Sequence, residues 1–136
     1  MSSFHWAPVY LKALVTVRVG GAWSDAGAYA ASVDAPVHVI TAWNPGAARP
    51  SEAVNRAANE RLRAHLTALG CDPVPALGAD PDSAHAEESW AVVGLSDDAA
   101  RRVGAAFDQV AVVRVTASEL AVLACSEDWV VRRALP

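Results

Sequence analysis

The side chains best suited to chemistry in this sequence are carboxamides that follow a tryptophan. Asn44 stands in the motif Trp-Asn-Pro-Gly at residues 43–46, directly after a β-branched run. Asn55 and Asn59 are four residues apart, a spacing that puts both on one face of a helix. Carboxamides donate and accept hydrogen bonds, so a group of them can read the polar groups of a small molecule. A strand end that opens into a helix is a common place for such a site.

Glu87 is the candidate for acid–base chemistry. Glu87 and Glu88 precede a predicted strand, where successive side chains point to opposite faces, so only one of them can easily enter a shared pocket. A single glutamate near amides could serve as a general base or a ligand clamp. His85 and Glu87 could also bind a metal ion, but a zinc site needs three or more ligands. We therefore assign Glu87 the catalytic role if the protein is an enzyme, and we predict no metal site.

The other candidate residues would surround the glutamate. Trp43 would supply a stacking wall, and Gln109 begins a predicted strand that could reach the same cleft. The predicted ligand-binding residues are Thr41, Trp43, Asn44, Asn55, Asn59 and Gln109. A structural alternative remains open for two of them. Asn55 and Asn59 are offset by about 100° from the apolar stripe of their helix, so they could instead hydrogen-bond the Asn44 loop and fix its shape.

The elements that must position these residues follow from hydrophobic periodicity. Alternation and apolar runs predict strands at residues 8–19, 36–42, 89–95, 109–115 and 120–125. Weaker patterns predict a loop with a helical turn at residues 22–35, a short edge strand at residues 73–77, and a last strand or tail at residues 129–133. Ser51 and Ser96 are predicted to begin two helices, and Gly70 to end the first. The predicted fold is an α+β two-layer sandwich with a mixed or antiparallel sheet of about five strands and two main helices.

Composition limits the classes of function. The chain has 136 residues, of which 53% are apolar, and this predicts a single domain over residues 1–136. The net charge of −4 and the absence of a basic stripe disfavour nucleic acid, and no apolar run is long enough to span a bilayer. The two distant cysteines and the lack of a signal-peptide pattern predict free thiols and a cytoplasmic location. There is no Gly-rich phosphate loop and no nucleophile elbow, and we expect no cofactor.

The sequence resembles a bacterial family known as domain of unknown function 3293. The stretches that carry the resemblance are residues 39–46, the helix with Asn55 and Asn59, and residues 69–70, 78–82, 87–89, 93–96 and 107–111, together with Tyr10-Leu11. The chain departs from the family pattern at residues 85–87, where a Trp-Pro-Glu-like run is usual, and at Asp108 and Val110. The family name implies no activity. The resemblance implies one compact domain in which Trp43, Asn44, Asn55, Asn59, Glu87 and Gln109 belong together.

Three functional hypotheses follow from the sequence. In the first, the protein binds a small-molecule ligand in a polar pocket walled by Trp43, with Glu87 as the acid–base group of any catalysis. In the second, it is a non-catalytic module that binds a protein partner, or a second copy of itself as a homodimer, through its tryptophans and an edge strand. The amides would then be structural. A third, weaker hypothesis is a metal-dependent hydrolase centred on His85, Glu87 and a remote histidine.

Overall fold

Helices and strands alternate irregularly along the chain. The computed structural model describes residues 2–136, the side chain of Ala47 excepted. Its strands are β1 (Leu14–Val19), β2 (Ala22–Asp25), β3 (Val37–Ile40), β4 (Val74–Ala79), β5 (Ala86–Val93), β6 (Ala111–Val115), β7 (Glu119–Ala124) and β8 (Val130–Ala134). Its helices are α1 (Ala7–Leu11), α2 (Ala26–Val33), α3 (Glu52–Ala68) and α4 (Asp97–Ala106), with 3₁₀ turns at Phe4–Trp6 and Pro45–Ala47.

The strands form one sheet in the order β2-β1-β4-β5-β3-β6-β7-β8, and every pair in it is antiparallel. The predicted two-layer sandwich of about five strands and two main helices is therefore wrong, because the described residues form eight strands and four α-helices. The chain does mix helices with strands, as predicted. β3 lies inside the sheet, and β4 is an internal strand rather than the predicted edge strand.

The errors have local physical causes. Residues 8–11 are helical although their apolar residues alternate, because Pro8 occupies the first turn of α1, a position that proline favours. β2 is exposed at all four positions and so carries no buried alternation. α2 buries only Ala26, Gly27 and Ala30, which are too small to form a visible apolar stripe.

Helices cover both faces of the sheet. On one face, α3 and α4 pack their buried residues against Ile40, Val92, Val112, Ala121 and Leu123. On the other face, α2 packs on β1 and β6, and Tyr10 and Leu11 of α1 pack beside it against a core that includes Val15, Val39, Val113 and Val122. We call this second face the α1 face. Within residues 2–136, no helix combines the length and apolar character that crossing a membrane requires.

Three predicted helix ends are confirmed. Ser51 and Ser96 accept hydrogen bonds from the backbone N–H groups of Val54 and Ala99, as N-caps do. Gly70 has a φ of +88°, and the N–H groups of residues 70 and 71 return to the carbonyls of residues 67 and 66. This paired arrangement ends α3 as a Schellman motif. The fixed ends of α3 hold its asparagines beneath the end of β3.

Candidate functional site

A cavity of about 380 Å³ opens on the α1 face, between α1, the hairpin of β4 and β5, and the loop that follows β3. We call that loop, residues 41–50, the Trp43 loop. Five of the predicted site residues line the cavity: Thr41, Trp43, Asn44, Glu87 and Gln109. Asn55 and Asn59 do not line it, although Asn55 borders an open groove that continues past Trp43. The structure thus brings together residues from three distant parts of the sequence.

Small side chains on the sheet leave room for the cavity. Gly78 of β4 lies opposite Val15 of β1 and Glu87 of β5, and both of these residues line the cavity. Cross-strand partners share a face, so a side chain at position 78 would point into the same space. A Cβ atom built there meets no atom within 4 Å. A glycine inside a strand forfeits packing, and it often marks a place where a ligand approaches the backbone.

The two helix asparagines hold the Trp43 loop in place. Asn55 Oδ1 accepts a hydrogen bond from the Asn44 backbone N–H, and Asn55 Nδ2 donates to Asn44 Oδ1, both at 2.9 Å. Asn59 Oδ1 accepts from the Ala42 N–H at 3.0 Å, and its Nδ2 donates to the Glu88 carbonyl at 2.9 Å. Both side chains are buried on the inner face of α3, although they are offset in the sequence from its apolar stripe. Their hydrogen bonds match the alternative in which they brace the loop.

Thr41 and Gln109 also shape this loop. Thr41 Oγ1 donates to the Glu88 carbonyl at 2.7 Å and accepts from the Trp43 N–H at 2.9 Å. Gln109 Nε2 donates to the Trp43 and Phe107 carbonyls, both at 3.3 Å. Gln109 is 6% exposed, and its Oε1 atom has no donor among the described residues. This oxygen is therefore available to a donor inside the cavity.

Glu87 and His85 form a pair on the cavity wall. His85 Nε2 donates to Glu87 Oε2 at 2.9 Å, and the two side chains are about a third exposed. Glu87 Oε1 accepts no hydrogen bond from the described residues. The expectation that only one of the adjacent glutamates enters the pocket is confirmed, because Glu88 lies outside it and its carboxylate is 3.5 Å from Nε of Arg56. The imidazole thus orients a carboxylate that keeps one oxygen free.

Tyr10 and Trp6 close the cavity from the side of α1, and sequence reasoning missed both. Burial first, and then the charge of Glu87, raises the pKa of Tyr10 to about 12, so its hydroxyl stays protonated. Arg133 fixes the end of this helix because its guanidinium donates to the carbonyls of Leu11 and Ala13. Pro8 was the available signal, since proline is favoured in the first turn of a helix.

The remaining titratable groups do not assemble a metal centre. Among residues 2–136, no three His, Cys, Asp or Glu side chains are placed to hold a metal ion together. Both cysteines are free, and burial raises the pKa of the Cys71 thiol and that of the Cys125 thiol, the latter to about 12. The polar side chains that line the cavity supply carboxylate, imidazole, guanidinium, hydroxyl and amide groups.

Comparison with known proteins adds a family. A family model described as "Protein of unknown function (DUF3293)" matches residues 40–112, which is more than half of the chain. The matched segment runs from the end of β3 into β6, so it contains all the predicted site residues but neither Trp6 nor Tyr10. A search of curated proteins and a search of solved structures found no significant match.

Proposed function

This chain belongs to the DUF3293 family of proteins of unknown function, as the sequence resemblance predicted, and we propose that it binds a small molecule in the cavity on the α1 face. One observation carries the proposal. Thr41, Trp43, Asn44, Glu87 and Gln109 were selected from the sequence for their chemistry, and they line one cavity. The cavity volume lies within the range of about 300–1,000 Å³ that is typical of small-molecule sites.

The lining suits a ligand with an apolar body and a few polar groups. Val15, Val39 and Val113 line one part of the cavity, and the indoles of Trp6 and Trp43 add broad apolar surfaces. The free oxygens of Glu87 and Gln109 are placed to accept hydrogen bonds from the ligand. Such a division between apolar walls and a few convergent polar groups is common in binding sites.

Glu87 is the acid–base group of this proposal. Its Oε2 atom is held by His85, which leaves Oε1 to accept a proton from a bound molecule. The neutral hydroxyl of Tyr10 lies in the same cavity and could return a proton or hold a ligand oxygen. These groups would support proton transfer on a bound substrate, and they would equally bind a ligand that does not react.

The test is a thermal-shift screen of purified protein against a collection of small polar metabolites, with native mass spectrometry to detect ligands that copurify. We expect at least one compound to raise the Tm of the wild-type protein and to do so much less for Asn44→Ala. Glu87→Gln should abolish any turnover of that compound. Glu60→Gln, which changes an exposed glutamate of α3, is the matched control. Folded Asn44→Ala and Glu87→Gln variants that both behave like the parent would refute the site.

A second candidate function rests on the edge of the sheet. β2 is an edge strand, all four of its residues are exposed, and Trp23 is 51% exposed. An exposed strand edge beside an aromatic side chain favours strand addition by a protein partner or a second copy of the chain. Light scattering after size exclusion would detect a homodimer, which Trp23→Lys should dissociate. A monomeric wild-type protein would exclude self-association at this edge.

A further inference from the structure

Three aromatic residues line the cavity. Trp6 and Tyr10 reach it from the N-terminal segment, and Trp43 reaches it from the loop after β3. None of these rings forms an aromatic pair with another of the three among the described residues. Trp6 lies beside His5, with 5.3 Å between the ring centroids, whereas Tyr10 and Trp43 form no aromatic pair among the described residues. The negative face of an aromatic ring attracts cations, and a group of such rings is a common means of binding quaternary ammonium ions.

Two carboxylates line the cavity, those of Asp80 and Glu87, and the carboxylate of Asp80 is paired with Lys12. Glu87 Oε1 accepts no hydrogen bond from residues 2–136, and neither does the uncharged Oε1 atom of Gln109. Tyr10 adds a hydroxyl that remains neutral, since its pKa is raised to about 12 by burial and by the neighbouring carboxylate. A cation placed between the rings would thus meet acceptors on the polar side and indole faces on the others.

The cationic side chains near the cavity are engaged or exposed. Lys12 lies 2.9 Å from an oxygen of Asp82 and 3.7 Å from one of Asp80, so its charge is already paired. His85 contacts Oε2 of Glu87 and leaves the other oxygen uncovered. Arg49 is an exposed residue of the Trp43 loop, and it lines both the cavity and the open groove. None of the three donates to Glu87 Oε1.

We propose that the ligand of this cavity is an organic cation, an alkylated or primary ammonium compound whose nitrogen lies among Trp6, Tyr10, Trp43 and the free oxygen of Glu87. The inference rests on the proposed small-molecule function and narrows it to a chemical class. The apolar walls formed by the valines of β1, β3 and β6 would hold the alkyl or aryl body of the ligand. The juxtaposition of three rings with one uncovered carboxylate oxygen selects for positive charge.

The experiment compares choline with 3,3-dimethyl-1-butanol, its neutral isostere, so that shape is held constant and only the charge differs. Binding is followed by calorimetry and by the shifts of the tryptophan indole N–H resonances of the full chain. We expect choline to bind at least about ten-fold more tightly than the alcohol. Glu87→Gln should remove most of this preference. Trp43→Leu should weaken choline binding, and Trp43→Phe, which keeps an aromatic face, should weaken it less. Glu60→Gln should retain wild-type affinity for both probes.

The outcomes separate this inference from the proposal on which it depends. If the alcohol binds as tightly as choline, or more tightly, the cation assignment is overturned while the ligand-binding cavity stands. If neither probe binds but the metabolite screen yields a neutral or anionic ligand that requires Asn44, the cation assignment again fails alone. If neither probe binds and the screen yields nothing, both proposals fail.

Discussion

Asn44 and Asn55 exchange two hydrogen bonds, one from a backbone N–H to a side-chain oxygen and one between the side chains, each 2.9 Å long. Asn44 has a φ of +48°, a left-handed conformation that asparagine tolerates better than most residues. The next residue is Pro45, which has no N–H and begins a short 3₁₀ turn. The loop that carries Trp43 is thus shaped by one asparagine in an unusual conformation and by another that secures it.

Asn55→Ala is expected to lower the free energy of unfolding by about 1–3 kcal/mol, because it leaves a donor and an acceptor of Asn44 without partners. It should also weaken binding of any cavity ligand, although Asn55 does not line the cavity. Urea unfolding and ligand titration measure the two effects. Arg56→Ala is the control, since it removes only exposed ion pairs with Glu52 and Glu88, each worth about 0.5 kcal/mol or less. Equal stability of the two variants would contradict the bracing role.

Gly78→Val is expected to occupy part of the cavity without destabilising the fold. Position 78 has no neighbour within 4 Å of an added Cβ and lies in a strand, where valine is favoured over glycine by up to about 1 kcal/mol. Urea unfolding should therefore show unchanged or higher stability, while ligand-induced thermal shifts disappear. Ser24→Thr on the exposed strand β2 raises strand propensity without touching the cavity and should bind normally. A folded Gly78→Val protein with undiminished binding would place the ligand elsewhere.

Local signals in the sequence were sufficient for the parts of the fold that depend on neighbouring residues. The serine caps of α3 and α4 and the glycine at the end of α3 are decided within a few residues, and all three were predicted. The strand at residues 36–42 was also predicted, because this run is apolar on both faces except at His38 and Thr41. Local chemistry of this kind does not fix how many strands a sheet recruits.

Long-range contacts determine the features of the site that were not predicted from the sequence. Arg133, more than a hundred residues away, donates to the carbonyls at the end of α1 and so helps to hold this helix beside the cavity. Asn55 and Asn59 lie on the buried face of α3 because the backbone groups of Ala42, Asn44 and Glu88 come to meet them. That Trp43 and Glu87 lie in one site was inferred from residue types. The contribution of Tyr10 was not predicted, because the alternating apolar residues of α1 indicated a strand instead of a helix.

A buried histidine on the opposite face of the sheet predicts a pH-dependent stability. His38 is 2% exposed, and its Nε2 atom lies 2.8 Å from Oδ1 of Asp97, which Arg114 also contacts. Burial lowers the pKa of His38, and the nearby charge of Arg114 adds to this, although Asp97 opposes it. The unfolded chain therefore takes up a proton near pH 6.5 that the folded protein does not yet bind. Stability contributed by neutral His38 is complete above that pH and declines below it.

We expect the free energy of unfolding to fall between pH 7 and pH 5, and His38→Gln to flatten this decline by up to about 1.4 kcal/mol per pH unit. Asp97 affects the free energy of unfolding over a lower pH range. Burial opposes ionisation of its carboxyl, but contacts with His38 and Arg114 prevail and lower its pKa, so its contribution is lost only in stronger acid. His65→Gln, at an exposed site on α3, is the control. If His38→Gln and the wild-type protein lose stability in parallel, the titration belongs to another group.

Gly104→Ala tests how closely α4 approaches the sheet. An added Cβ would lie 2.5 Å from the Cys125 sulfur and 2.7 Å from Cγ1 of Val112, so one of these groups must move. Overpacking of this kind costs about 1–3 kcal/mol, which exceeds the gain of about 1 kcal/mol expected when alanine replaces glycine in a helix. We therefore expect a net loss of stability of up to about 2 kcal/mol in urea unfolding. The same substitution should cost less in a Cys125→Ala background, because part of the obstruction is gone. An equal cost in both backgrounds would show that the sulfur does not limit the approach of the helix.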